Sequence, residues 1–250
     1  MLAILSDIHS NLEALTAVLA EIDRRGITDI LCLGDIVGYG PNPIECLDLV
    51  RRRARATIMG NHDFAVFYEP YNFNTGAEAA CFWTRQQFED HPDAGERAER
   101  WRFLSTLPVR LDNGRFSAVH ASPRRPINEY IFPDDIYTNP AKFGVLFDRV
   151  PKLCFVGHTH VPGVFLPGPD FYSPDELQYR FVIDPEEKAI VNVGSVGQPR
   201  DRDPRSSFVV LHEDAVEFVR IEYDVKTTCR KVEAIPELDD FLGQRLLEGR

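Results

Sequence analysis

Apolar residues in the first part of the chain alternate between short continuous runs and helical spacing. The runs Leu2–Ser6, Ile30–Leu33 and Ala56–Met59 are typical of buried strands. Between them, apolar residues recur at helical spacing over Leu12–Ile22, and Asn42-Pro43 has the form of a helix start. The order strand, helix, strand, helix, strand predicts right-handed crossovers and a parallel sheet.

The rest of the chain predicts helices in its middle and strands towards its end. Helices are expected over Thr75–Glu89, Glu96–Ser105 and Ala141–Asp148, and a last one over residues 236–247. The predicted strands are Val109–Leu111, Phe116–Val119, Leu153–Val156, Val164–Leu166, Tyr179–Ile183, Ala189–Val193, Ser207–Leu211 and Val216–Glu222. Parallel units followed by an antiparallel half indicate an α/β fold of two sheets packed face to face. With no repeat or low-complexity linker, we expect residues 1–250 to form a single domain.

Charge and composition exclude several classes of protein. The 250 residues contain 28 Lys plus Arg against 39 Asp plus Glu, a formal net charge of −11. A general nucleic-acid coat is therefore not expected, because binding the phosphate backbone requires clustered positive charge.

The five Cys are scattered without a C-x-x-C motif and are predicted to be reduced thiols. No apolar stretch reaches the roughly 18 residues of a membrane span. We expect a cytoplasmic protein without a membrane partner.

Polar motifs follow directly after several of the predicted strands. They are Asp7-Ile8-His9, Gly34-Asp35, Gly60-Asn61-His62-Asp63, His120 and Gly157-His158-Thr159-His160. Ligands of open α/β sheets bind at the carboxyl ends of the strands, so these side chains are expected to meet at one edge. Imidazole, carboxylate and amide donors without a thiolate suit Mn, Fe, Zn, Co or Ni better than Ca. The motifs together predict a metal site.

This set of motifs resembles that of the calcineurin-like metallophosphoesterase superfamily. The segments Ser6–Asn11, Gly34–Pro41 and Gly194–Arg200 are similar to its small bacterial and archaeal phosphodiesterases. The resemblance implies a four-layer αββα sandwich of two mixed sheets with helices on the outer faces. It also implies a metal-dependent hydrolase that cleaves phosphodiester bonds through a dinuclear centre and a bridging hydroxide.

The resemblance further implies a role for each residue of the motifs. One metal would be held by Asp7, His9, His160 and Asp35, and the second by Asp35, Asn61, His120 and His158. His62 would face a small phosphodiester or nucleotide substrate, with Asp63 orienting its ring. Of the possible pairs of divalent ions, Mn²⁺ is favoured over Fe, Zn, Ni or Co. Asn11, Arg124 and Arg200 are further candidates for substrate binding.

Two alternative functions remain open at this point. The first is a phosphomonoesterase, or a phosphatase of nucleotides or dinucleoside polyphosphates. A protein Ser/Thr phosphatase is disfavoured, because Gly34–Gly40 lacks the arginine of the G-D-x-x-D-R-G motif of those enzymes. The second is a non-catalytic binding scaffold of the same fold. It is less favoured, because scaffold members usually lose ligands that are all present here.

Overall fold

Two six-stranded mixed sheets form the centre of the molecule in a computed structural model, which describes residues 1–168 and 170–250. In spatial order, the first sheet contains β3 (Ala56–Thr57), β2 (Asp29–Cys32), β1 (Leu2–Leu5), β11 (Ser206–Leu211), β12 (Ala215–Ile221) and β9 (Arg180–Val182). The second contains β4 (Arg110–Asp112), β5 (Ser117–Val119), β6 (Leu153–Val156), β10 (Ala189–Asn192), β7 (Gly163–Leu166) and β8 (Asp170–Tyr172). The predicted parallel unit β1–β2–β3 is confirmed, and β11 joins it in antiparallel pairing. In the second sheet, β5, β6 and β10 are parallel to one another.

The helices of the described chain are mostly those that the apolar spacing predicts. They are α1 (Leu12–Arg24), α2 (Pro43–Arg53), α3 (Asn61–Phe67), α4 (Thr75–Glu89), α5 (Ala94–Ser105), α6 (Asp135–Thr138), α7 (Pro140–Phe147), α8 (Val225–Glu233) and α9 (Asp240–Gln244). The helix expected from residue 236 begins instead at Asp240, because the Asp239 side chain caps it by accepting a hydrogen bond from the Phe241 amide. A 3₁₀ turn over Arg245–Glu248 follows. None of the described helices has the length and apolar character needed to cross a membrane.

Alternating side chains of the strands divide the core into separate layers. In β1, Ile4 packs between the two sheets, whereas Leu5 packs with apolar residues of α1 and α2. In β6, Phe155 packs between the sheets, whereas Val156 packs with residues of α7. This alternation follows from the two-residue period of a strand. Each sheet is thus covered by the other sheet on one face and by helices on the opposite face. The αββα sandwich that the resemblance implies is confirmed.

Loops from both sheets are joined where the parallel strands end. The amide of Asp7 donates to the carbonyl of Gly34 (3.1 Å), which connects the loops after β1 and β2. The amide of Gly157 donates to the carbonyl of His120 (2.8 Å), which connects the loops after β6 and β5. Gly197, after β10, donates to the carbonyl of Asp7 (2.9 Å) and so bridges the two sheets. The polar motifs are therefore held at one edge of the sandwich.

Candidate metal centre

Close backbone approach explains why glycine precedes the polar residues in two of the motifs. A Cβ atom at Gly60 would lie 2.2 Å from both the amide nitrogen and Oδ1 of Asp35. A Cβ atom at Gly157 would lie 2.1 Å from Ser6 Oγ and 2.4 Å from Asp7 Oδ2. Only a hydrogen atom fits at these positions. The glycines thereby allow loops from different strands to bring their carboxylates and imidazoles together.

Several polar residues at this edge have left-handed backbone conformations. Their φ values are positive: Asp7 (54°), His9 (48°), Asp35 (52°), His158 (66°) and His160 (61°). Such conformations cost of order 1–3 kcal/mol each in a residue other than glycine, and they cluster at functional sites. The loop hydrogen bonds hold the backbone there, and each residue is directed away from the strand that precedes it.

The first group of potential metal ligands contains Asp7, His9 and His160. His160 Nε2 lies 3.1 Å from Asp7 Oδ1 and 3.2 Å from His9 Nε2. On the far edges of the rings, His160 Nδ1 lies 2.6 Å from the carbonyl oxygen of Gln198, and His9 Nδ1 lies 3.2 Å from that of Val37. A carbonyl can only accept, so each Nδ1 carries the proton and each Nε2 presents a lone pair to the centre.

The second group contains Asp35, Asn61, His120 and His158. His120 Nε2 lies 3.3 Å from Asp35 Oδ2, 3.1 Å from Asn61 Oδ1 and 3.2 Å from His158 Nδ1. His120 Nδ1 lies 3.0 Å from the carbonyl oxygen of Leu33. As in the first group, the ring therefore turns Nδ1 to a backbone carbonyl and Nε2 to the centre. Asp35 belongs to both groups, because its Oδ2 also lies 3.6 Å from His9 Nε2.

Burial and neighbouring charges together set the pKa values of these groups. Burial would raise the pKa of Asp7, but neighbouring His160 holds that pKa far below its usual value. Burial would lower the pKa of His120, but the Asp35 carboxylate raises it to about 9. Burial, reinforced by His120, lowers the pKa of His158 to about 3. Asp7 is thus ionised and His158 is neutral, which are the forms that bind metal, whereas His120 would have to release its proton when a metal binds.

The residues present fit divalent metal ions. The lone pairs of His9 Nε2 and His160 Nε2 face each other at 3.2 Å with no proton between them. A bound cation would stabilise this arrangement. Asp7 Oδ1 is buried and accepts no hydrogen bond within the described residues. Imidazole nitrogens with carboxylate and amide oxygens are the donors that first-row transition ions take. All the ligand candidates predicted from the sequence lie in these two groups.

His62 and Asp63 lie beside the centre, but in the described chain no hydrogen bond joins their side chains. The Asp63 carboxylate accepts hydrogen bonds from the amides of Asp35 (2.8 Å), Ile36 (2.9 Å) and Gly60 (3.1 Å). These hydrogen bonds go to backbone amides, so they give no support to the predicted role of Asp63 in orienting the His62 ring. Asp63 fixes the loop that carries Asp35, because it lies in the first turn of α3, where its side chain points back at that loop.

The structure distinguishes between the three candidates for substrate binding. The side-chain amide of Asn11 is buried, caps α1 by accepting from the Ala14 amide, and donates to the Gly197 carbonyl (2.8 Å). Arg124 Nε forms hydrogen bonds of 2.9 Å to both carboxylate oxygens of Glu129. The polar groups of these two side chains thus form hydrogen bonds within the protein, which disfavours a role in substrate binding.

Arg200 differs because its hydrogen bonds within the described residues go to a neutral group. Its Nε and Nη2 donate to the side-chain oxygen of Gln198 (3.2 and 2.6 Å), and its guanidinium lies 5.9 Å from the centre of the Tyr39 ring. The Tyr39 ring in turn packs edge-on against His9 at 4.8 Å. Arg200 is therefore a cation close to the candidate centre, and within residues 1–168 and 170–250 no carboxylate pairs with it.

Tyr130 and Cys81 contact the site but were not identified from the sequence. Tyr130 stacks on His158 with ring centres 4.0 Å apart, and Phe132 stacks on Tyr130 at 5.2 Å. Cys81, on α4, places its Sγ 3.7 Å from His62 Nδ1. Tyr130 and Cys81 come from segments between the motifs, where neither apolar spacing nor a strand end indicates a functional residue. Only packing of these segments onto the strand edge brings them to the site.

Comparison with known proteins agrees with this geometry. Residues 1–215 match the model of the calcineurin-like phosphoesterase superfamily domain. The uncharacterized protein MJ0912 of Methanocaldococcus jannaschii is 38% identical over 264 residues, which cover 100% of this chain and 98% of that protein. A metallophosphoesterase from Sphaerobacter thermophilus is 37% identical, with a TM-score of 0.82 over 100% of this chain and 98% of its own. The hypothetical protein PH1004 from Pyrococcus horikoshii, 21% identical with a TM-score of 0.73 over 100% and 99%, has the same fold. The chain belongs to the calcineurin-like phosphoesterase superfamily and is a metal-dependent hydrolase.

Proposed function

We propose that this hydrolase cleaves phosphodiester bonds at a dinuclear metal centre. The observation that carries the proposal is the position of Asp35, whose Oδ2 is 3.6 Å from His9 Nε2 and 3.3 Å from His120 Nε2. A carboxylate shared between two ligand groups is what a pair of ions about 3.5–4 Å apart requires. One ion would be held by Asp7, His9, His160 and Asp35, and the other by Asp35, Asn61, His120 and His158.

Charge supports a phosphodiester as the substrate. Two divalent ions supply positive charge and lower the pKa of water at the site. Asp7 and Asp35 together carry two negative charges, so the loaded centre has a net positive charge within a chain of formal net charge −11. A phosphodiester monoanion is attracted to such a centre. Arg200, which has no carboxylate partner in the described chain, is available to bind a phosphoryl oxygen.

His62 is positioned to stabilise the transition state. One of its ring nitrogens lies within 4.8 Å of a His9 nitrogen and an Asp35 oxygen, beside where a substrate phosphate would bind. Burial lowers the pKa of His62 to about 4, so the ring is neutral near pH 7. In that form it donates one N–H hydrogen bond to an oxygen that gains negative charge during the reaction.

Nucleotide phosphoesters, including dinucleoside polyphosphates, are the second candidate substrates. The observation that favours them is the aromatic stack beside His158, in which Tyr130 and Phe132 are 43% and 45% exposed. Exposed aromatic rings can stack on a nucleobase, as single-stranded nucleic-acid binders do, with about 1–3 kcal/mol per base. A monoester preference, or a strong preference for nucleotides, would favour this alternative.

Metal-dependent turnover by the purified chain tests the proposal. We expect hydrolysis of an aryl phosphodiester with added Mn²⁺, none in chelator, and two equivalents of metal by elemental analysis. Fe, Zn, Ni and Co, assayed in parallel, test the choice of Mn²⁺. Asp35→Asn should abolish turnover and lower the metal content, whereas Asp148→Asn, on an exposed carboxylate after α7, should change neither. No turnover with any of these metals, or full turnover by Asp35→Asn, would contradict the dinuclear proposal.

A further inference from the structure

We propose that the thiol of Cys81 is a positioning residue that donates a hydrogen bond to His62 Nδ1 and thereby keeps the ring proton on Nε2. The inference rests on the proposed function of His62 as a hydrogen-bond donor to the substrate. Its basis is the distance of 3.7 Å between Cys81 Sγ and His62 Nδ1, with both residues buried. Within residues 1–168 and 170–250, the thiol is the one group that forms a hydrogen bond with the His62 ring.

Packing between α3 and α4 fixes the position of the thiol relative to the ring. His62 lies in the first turn of α3, and Cys81 lies on the buried face of α4. Arg85, one turn after Cys81, donates to the carbonyls of Val66 (3.0 Å), Ala65 (3.1 Å) and Tyr68 (2.8 Å) at the end of α3. These bonds set the register of α4 against α3. The thiol is therefore held opposite Nδ1 by contacts independent of the metal site.

The aromatic neighbours Tyr39 and Phe73 of the His62 ring restrain its plane without selecting a tautomer. Tyr39 and Phe73 contact the ring with centroid distances of 4.3 and 4.7 Å. A Cβ atom at Gly38 would lie 2.4 Å from Nδ1, so the chain also passes close to this edge. Aromatic packing does not depend on which nitrogen carries the proton. A directional hydrogen bond can select the tautomer, and in the described chain the Cys81 thiol forms that bond.

The chemistry of the thiol determines the direction of this hydrogen bond. Burial, together with the nearby Asp35 carboxylate, raises the pKa of Cys81 far above its usual range, so the sulfur keeps its proton. Imidazole nitrogen is a good acceptor, whereas thiol sulfur is a weak one. The favoured arrangement is therefore S–H donating to Nδ1, with Nε2 protonated. Nε2–H is then available to an oxygen of the substrate without transfer of the proton.

Kinetics of three variants test this role. Cys81→Ala should lower kcat about five- to tenfold, the equivalent of about one hydrogen bond, with little change in KM. Cys81→Ser restores an O–H donor and should recover most of the loss. Cys46→Ala is the matched control, because Cys46 is also fully buried but lies on α2. The loss in Cys81→Ala should be larger for alkyl than for aryl diesters, since a poor leaving group depends more on a donated hydrogen bond. Equal activity of Cys81→Ala and the wild type would overturn the proposal.

The tautomer itself provides a readout that is independent of turnover. In ¹⁵N NMR spectra of the metal-free wild-type chain, His62 should have a protonated Nε2 and an unprotonated Nδ1. Cys81→Ala should shift this equilibrium towards the other tautomer, and Cys81→Ser should not. A wild-type ring protonated on Nδ1 would refute the inference, even if the Cys81→Ala protein failed to fold. If the wild type shows the expected tautomer but hydrolyses no phosphoester, the proposed function fails and the thiol contact stands.

Discussion

The strongest test of how the site is built concerns Asp63, whose side chain is fully buried. Its Oδ2 accepts from the amides of Asp35 and Gly60, and its Oδ1 accepts from Ile36 (2.9 Å) and, at 3.4 Å, from Val37. One carboxylate thus satisfies backbone donors on both sides of the contact between two loops. Asp63→Ala would leave these amides without a partner in the interior.

The cost of this substitution can be worked out from the hydrogen bonds. Three of the four have lengths of 2.8–3.1 Å, and the fourth is long. A buried donor left unsatisfied costs about 1–3 kcal/mol, and water entering the vacated space recovers part of that. We therefore expect Asp63→Ala to lower the free energy of unfolding by about 3–5 kcal/mol, a large share of the 5–15 kcal/mol typical of a native protein.

Urea unfolding of the metal-free protein measures this cost, with Asp93→Ala as the matched control. Asp93 also accepts from two backbone amides, those of Gly95 (2.8 Å) and Glu96 (3.1 Å), but it is exposed at the start of α5. Loss of an exposed helix cap costs about 1 kcal/mol. A loss below about 1 kcal/mol for Asp63→Ala, or one no larger than that of Asp93→Ala, would refute the assignment of Asp63 as the support of the Asp35 loop.

Three further changes test the packing, the loops and the metal. Arg100→Ala should lower the free energy of unfolding by about 3 kcal/mol in urea titrations, because it removes the nearly buried guanidinium that binds Asp48 (3.1 and 2.7 Å). Arg52 is exposed, and Arg52→Ala should stay within about 0.5 kcal/mol of the wild type. Gly60→Ala should reduce metal-dependent turnover at least about a hundredfold, since its Cβ would displace the Asp35 loop; Gly144→Ala, with open space around the new methyl group, should retain full turnover. Chelator should lower Tm and added Mn²⁺ restore it, with about 1.4 kcal/mol gained per tenfold excess over Kd; a Tm indifferent to both would argue against the metal centre.

The candidate ligands could be predicted from the sequence because their placement follows from local patterns. A short apolar run predicts a strand, and a polar residue directly after it lies at the strand's carboxyl end. β1 and β2 are parallel strands of one sheet, so Asp7 and Asp35, which follow them, lie at the same edge although they are far apart in the chain. The layers of the sandwich follow from the same patterns, since alternate residues of each strand face opposite sides.

The contacts that support the ligands could not be predicted in this way. Asp63 reaches the Asp35 amide 28 positions away, and Cys81 reaches His62 across 19 positions. Both contacts depend on α3, a helix of seven residues that begins inside a motif and has no long apolar repeat. α8 was also missed, yet its Thr228 donates to the Asn11 side chain (3.0 Å). Such contacts depend on how helices pack, which no local pattern specifies.

Backbone strain at the candidate ligands connects the local sequence pattern with the contacts between loops. Asp7, His9, Asp35, His158 and His160 have positive φ values, and Asp and His are enriched in this region among residues other than glycine. The residue types that bind metal are thus also types that tolerate the turn by which each loop leaves its strand. The strain is held by bonds between loops, such as His158 N to Asp7 Oδ2 (3.0 Å), which joins the two sheets. The same residues therefore connect the sandwich and form the candidate metal centre, so the site and the fold at this edge cannot vary independently.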